Sequence, residues 1–401
     1  MNYTTDFLRA IPKTDVHVHL DGSLRIPTLI DLAKSRAIEL PSFEEAGLRE
    51  LVFKESYKDL NEYLSGFAWT TAVLQDAEAL ERVAFELAED NWNEGVRYVE
   101  VRFAPQLNMH DSLSFEEVME AVDTGLRRAR DQINRSVPEG EPPFEYGIIV
   151  CAMRFFTENF SQYFRKLFQA HPYSSSAEVA RLASLELAKA VVRFREHSDA
   201  QVVAFDLAGA EMGNPAALHQ EAFDYVHRHF MNKTVHAGEA YGPESIFQAI
   251  TKLHADRIGH GLRLFNAASI QDPDISDREA YVAELADFIA NHRTTIEVCL
   301  TSNLQTSPDI TDAKHHSLGE MLKRNLSVTI CTDNRLVSNT SVTEELALAT
   351  SNFPMTPKQL KNIIIYGFKR SFFPRSYGDK RRYVRQVIDY YERLEQEHLG
   401  A

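Results

Sequence analysis

No Cys-x-x-Cys pair occurs in the 401 residues, and the three cysteines, Cys151, Cys299 and Cys331, stand far apart in apolar runs. That excludes a disulfide framework and a cysteine-built zinc site, and it predicts buried free thiols in a reducing compartment. Basic residues are also short: 43 Lys and Arg against 58 Asp and Glu leave a formal charge of −15. Nucleic acid and anionic membrane both need clustered cations, so neither is an expected partner. No apolar stretch approaches the roughly 20 residues that span a bilayer. The opening MNYTTDFLRA lacks a basic start followed by an apolar run. It therefore reads as no secretory signal, and the expected location is cytoplasmic. No G-x-G-x-x-G turn follows any apolar run, and there is no internal repeat, low-complexity tract or linker.

What is present is alternation. Short β-branched or apolar runs at 14–19, 97–103, 146–152, 201–206, 233–237, 257–260, 294–299 and 327–332 read as buried strands. Helical patterns lie between them at 26–36, 75–94, 115–133, 178–197, 215–229, 243–253, 278–291 and 317–325. Strand and helix in strict alternation imply parallel strands with crossover helices. Eight such units make an α/β fold of the (β/α)8 TIM-barrel type, expected as one domain over 1–401. Extra helices follow strand 1 and the last strand. In the first insertion, Tyr57, Leu60, Tyr63, Leu64 and Phe67 recur at helical spacing, as a packed helix or an apolar lid requires.

Chemistry in such a barrel collects where the strands end. Strand 1 ends in His17-Val18-His19, whose imidazoles project from one face. Strand 5 ends in VHAGEA with His236 and Glu239, strand 6 in RIGHG with His260, and strand 8 in TDN with Asp333. Two imidazoles side by side in a core are costly without a partner. With a third histidine and a carboxylate on the same rim, the reading is a metal site. His17, His19, His236 and Asp333 suit a borderline ion such as Zn²⁺, which makes hydroxide available near neutral pH. His260 would orient that hydroxide or accept its proton. Glu239, kept protonated, would donate a proton to a substrate ring nitrogen. Glu100, Arg102 and Glu297 read as hydrogen-bonded interior groups, and His315-His316 as a solvated pair in a polar loop.

The stretches HVHLDGS (17–23), YVEVRFAP (98–105), FDLAGAE (205–211), HAGE (236–239), RIGHG (257–261) and TDN (332–334) resemble, in order, the adenosine deaminase family of metal-dependent amidohydrolases. The resemblance implies one Zn²⁺ per chain on His17, His19, His236 and Asp333, with His19 also facing the substrate. It implies Glu239 as proton donor to purine N1 and His260 as the group acting on the zinc-bound water. It further implies the Gly209 N–H against purine N3, Asp21 on the ribose 5′-hydroxyl, and the Tyr63–Phe67 segment as an apolar lid. Many members carry a second aspartate where this chain has Asn334, which would contact purine N7 without a charge. The implied substrate is a small-molecule purine nucleoside, and the implied reaction is deamination of adenosine to inosine.

The nearest rival is a deaminase of another aminopurine, adenine, a modified nucleoside or a nucleotide, using the same site. A nucleotide such as AMP would want a cationic phosphate pocket, and no Lys/Arg cluster accompanies the strand-end motifs. A two-metal hydrolase of the same superfamily would want a lysine in QVVAFDLAG, which has none. A catalytically dead binding protein would not be expected to keep the ligand set together with Glu239 and His260.

Overall fold

The computed structural model describes residues 3–400. Its centre is eight parallel strands: β1 (Lys13–His19), β2 (Val96–Phe103), β3 (Glu145–Met153), β4 (Val202–Ala208), β5 (Asn232–Ala237), β6 (Arg257–His260), β7 (Thr295–Val298) and β8 (Val328–Ile330). They run in the order 1 to 8 around the sheet. A parallel bridge between Val18 and Asp333 joins the last turn back to the first strand. It consists of Asp333 N–H to the His17 carbonyl at 2.8 Å and His19 N–H to the Asp333 carbonyl at 2.7 Å. The strands are buried almost throughout because both faces are covered, one by the barrel interior and the other by helices. All three cysteines are buried and unpaired, and no helix among the described residues is long and apolar enough to cross a membrane.

Most expected helices appear within a residue or two of their predicted bounds. Phe115–Asn134 and Ser176–His197 each begin on a serine capping box, Ser114 with Glu117 and Ser175 with Glu178. The 215–229 segment starts as a 3-10 turn, Ala216–His219, and becomes α-helical only at Gln220–Arg228. The insertion after β1 departs more. Tyr57 lies outside any helix, and the expected single helix breaks at Gly66 into Leu60–Ser65 and Phe67–Val73. Tyr63 is nonetheless buried, with its ring packed edge-on to Tyr57.

The N-terminal end of the barrel is closed by helices from both chain ends. Helix Pro357–Arg370 packs across the starts of β1 and β8. Lys13 is buried there, its Nζ donating to the carbonyls of Leu8, Arg9 and Ile11 at 2.8, 2.8 and 3.0 Å. Burial lowers the Lys13 amine to about 7. That end is committed to stability, which leaves the opposite rim for chemistry.

Candidate active site and metal centre

Beneath the rim the barrel interior is charged. Arg102 donates to Asp206 at 3.0 Å and to Glu297 at 2.9 Å, and Arg257 donates to Glu297 at 2.6 Å and to Glu100. The guanidinium of Arg257 also lies 3.7 Å from the Phe372 ring centroid. These groups are fully buried, and each carboxylate is paired, as burial of charge demands. Glu100, Arg102 and Glu297 are thus the hydrogen-bonded interior groups the sequence suggested.

On this layer stand the histidines. His17 Nδ1–H donates to Glu297 Oε2 at 2.8 Å, and His236 Nδ1–H donates to Asp206 Oδ1 at 3.2 Å. A carboxylate behind Nδ1 fixes the tautomer and turns the Nε2 lone pair forward. His17 Nε2 is buried without any hydrogen-bond partner. It lies 3.4 Å from Asp333 Oδ1, while His19 Nε2 lies 3.5 Å from the same oxygen and 3.1 Å from His236 Nε2. Zinc–ligand bonds of ~2.0–2.1 Å in a tetrahedral shell place neighbouring ligand atoms ~3.3 Å apart. The three separations of 3.1–3.5 Å, His17 to Asp333, His19 to Asp333 and His19 to His236, match that spacing. The group whose ligand atoms all lie within 4.8 Å of one another is His17, His236, His260 and Asp333, so His260 belongs to the same centre. His19, which that group lacks, adjoins it through Asp333 Oδ1 and His236 Nε2.

Backbone geometry aims two of these residues. Asp333 (φ 62°) and His260 (φ 65°) are both left-handed, a strained conformation for a residue with a side chain and one that clusters at functional sites. β8 ends at Ile330, so Asp333 sits three residues past the strand and its backbone pairing with β1 holds it at the rim. Gly259 on β6 makes room for the centre: a Cβ there would lie 2.9 Å from His17 Cε1.

Glu239 is buried beside His260, with 3.8 Å between Oε1 and Nε2. Burial, followed by the negative charges of Asp333 and Glu211, raises its carboxyl well above the usual range. That shift favours the protonated acid. Asp21 is similar: burial pushes its carboxyl up to about 7, and Oδ1 has no hydrogen-bond partner. Asp21, Gly209 (φ 98°), Asn334 and Glu239 line one cavity of about 670 Å³ with the cluster as part of its wall. Leu60, Leu64 and Phe67 form its apolar side, and no Lys or Arg lines it. All the candidate residues named from the sequence come together here.

Several residues that the sequence reading gave no role prove to support the site. Glu211 accepts from the backbone N–H groups of Gly238, Glu239, Ala240 and Tyr241 at 2.8–3.0 Å, and from Ser245 Oγ. It builds the loop that carries Glu239. Ser302 donates to Asp333 Oδ2 at 2.6 Å, leaving Oδ1 to the imidazoles. Asn303 contacts His260 Nδ1 at 3.0 Å. His316 corrects an expectation: His315 is exposed as predicted, but His316 is buried and hydrogen-bonded to Asn303 at 3.1 Å. Its segment folds back under the helix Leu300–Thr306. The available signal was the polar triplet Thr301-Ser302-Asn303 directly after an apolar strand.

Comparison with known proteins agrees with this architecture. A model of the family described as Adenosine deaminase matches residues 12–390. Adenosine deaminase 1 of Streptomyces coelicolor is 34% identical over 390 residues, covering 96% of this chain and 87% of its own. Among solved structures, the N6-methyl-AMP deaminase of Arabidopsis thaliana superposes with a TM-score of 0.71 at 23% identity, covering 96% of this chain and 98% of that one. An amidohydrolase of Burkholderia ambifaria, determined with bound Zn, gives 0.76 at 19% identity over 100% and 97% of the two chains.

Proposed function

Since this chain belongs to the adenosine deaminase family, we propose that it deaminates adenosine and 2′-deoxyadenosine by hydrolysis, releasing ammonia. Inosine and its 2′-deoxy counterpart are the products, and the setting is cytoplasmic purine salvage. The chain acts as one catalytic unit over 1–401. The observation that carries this reading is a buried Glu239, its carboxyl shifted toward the protonated form by burial, sharing one cavity with the His/Asp cluster. An AMP-type substrate is disfavoured by the same cavity, because the 5′-phosphate would stand where the hydroxyl meets Asp21, with no cation among the lining residues to receive it.

His17, His19, His236 and Asp333 would hold the ion, a zinc-like divalent metal. Such an ion lowers the pKa of a bound water toward 7 and so supplies a nucleophile at neutral pH. Glu239 gives its carboxyl proton to purine N1 as the water oxygen bonds to C6. One water proton restores Glu239, and the other leaves with the C6 amino group as ammonia. The Gly209 N–H is assigned to purine N3 and the Asp21 carboxyl to the 5′-hydroxyl. Asn334 Nδ2 spends one hydrogen on Tyr63 Oη at 2.8 Å, leaving its second for the acceptor N7.

Ultraviolet absorbance of the purified protein with adenosine tests the proposal. Conversion to inosine, abolished by chelation, with AMP at least 100-fold poorer in kcat/KM, is expected. Equal or better turnover of AMP or adenine would overturn the substrate assignment. Glu239→Gln keeps the shape but has no acidic proton, so kcat should fall by about 10²–10⁴ with metal content unchanged. Normal turnover by this variant would remove Glu239 from the role.

A further inference from the structure

Behind His260 stands an amide where His17 and His236 have carboxylates, and the polarity of that amide is fixed from a distance. The Leu318 backbone N–H, which can only donate, points at His316 Nδ1 at 3.0 Å. His316 Nδ1 is therefore an acceptor, and the ring carries its hydrogen on Nε2. His316 Nε2–H faces Asn303 at 3.1 Å, so the atom it meets is the amide oxygen. The Asn303 NH₂ then faces His260 Nδ1, 3.0 Å away. Two donors cannot face each other, so His260 Nδ1 is the acceptor and its Nε2 bears a hydrogen. That Nε2–H is the edge turned toward Glu239 and the metal cluster.

We infer that His316 and Asn303 are positioning residues that deliver His260 to the reaction as an Nε2–H hydrogen-bond donor. The catalytic consequence rests on the deaminase reading, although the relay itself does not. Neutral His316 agrees with its burial, which lowers its imidazole to about 4. Of the two roles the sequence left to His260, the relay selects orienting and stabilising the oxygen that adds to the substrate. Accepting a proton at Nε2 would require that nitrogen first to lose the one it holds. The two sorts of histidine are thus told apart by what stands behind Nδ1: a carboxylate turns a lone pair into the site, an amide N–H turns a hydrogen into it.

The test is ¹⁵N-histidine NMR of the zinc-loaded full chain, with the His260 ring assigned from its loss in His260→Ala. A pyridine-like Nδ1 and a pyrrole-like Nε2 are expected for His260, and the opposite pattern overturns the inference. Two substitutions of His316, which lies outside the cavity, extend the test. His316→Met removes the donor and frees the Asn303 amide to turn. The His260 pattern should reverse, and kcat should fall at least tenfold with KM within about threefold. His316→Gln keeps an Nε-type N–H and should restore both the spectrum and kcat to within about threefold of the parent. Should His316→Met unfold, Asn303→Asp retains the His316 contact while presenting an oxygen to His260, and Nδ1 should become protonated. A reversed spectrum with unchanged kcat would remove the catalytic consequence. Failure of the parent protein to deaminate adenosine would strike the functional reading alone, since the spectrum judges the relay independently.

Discussion

At the scale of single residues, the candidate site is arranged by groups hydrogen-bonded behind its imidazoles and carboxylate. Glu297 and Asp206 orient His17 and His236, and Ser302 fixes which oxygen of Asp333 faces them. Such supporting contacts typically contribute 10–100-fold in metal affinity. Ser302→Ala frees Asp333 Oδ2 and should weaken zinc binding by about that factor, read by competition with a chromophoric chelator. An unchanged affinity would show that Asp333 is held by its backbone pairing alone. Gly259→Ala acts from the other side, because its Cβ must displace the His17 ring. The same assay should register a loss of at least about tenfold.

At the scale of elements, two short helices do most of the arranging. Helix Leu300–Thr306 follows β7 and spends three consecutive residues on the site. Thr301 N–H is anchored by Glu345, Ser302 reaches Asp333, and Asn303 reaches His260. The segment Leu60–Ser65 covers the cavity and is tied down by a polar chain, from Asn334 Nδ2 to Tyr63 Oη and on to Ser338 Oγ, both at 2.8 Å. Tyr63→Phe breaks that chain and leaves Asn334 without its partner at a buried position. A cost of about 1–3 kcal/mol is expected for a buried donor left unpaired in this way. Because the segment covers substrate and Glu239 lies elsewhere, KM should rise several-fold with kcat little changed. A fall in kcat at constant KM would argue that the segment acts on the chemistry.

At the scale of the whole molecule, buried carboxyls make stability depend on pH. Glu345 is fully buried between Thr301 and Thr340, and burial raises its carboxyl to about 7. An unfolded Glu titrates near 4.3. The folded value is the higher one, so the stability Glu345 contributes is fully present below about pH 4. It is lost as pH rises through 7. The difference amounts to on the order of 3 kcal/mol between pH 4 and pH 8. Asp15, raised to about 6, and Asp21 add in the same direction. Glu345→Gln keeps the shape and stays neutral, so its thermal midpoint should fall less than the parent's between pH 5 and pH 8. Identical slopes for the two proteins would show that Glu345 does not titrate in this range.

The sequence by itself determined the barrel and the rim position of the candidate residues. Apolar strand runs alternating with helical patterns admit few other folds, and His17, His19, His236, His260, Glu239 and Asp333 all stand at or just beyond strand ends. Rim position follows from chain order once eight parallel strands are granted, so those residues were legible before any coordinate. The supporting groups were not. His316 reads as a loop residue, and Asn303 and Glu211 as unremarked polar positions, because their partners are 13 to 43 residues away in sequence. Hydrogen bonds across such separations have no periodicity to betray them. Which nitrogen of each histidine carries a hydrogen is therefore a property of the tertiary structure alone, set by the atom that packing places behind the ring.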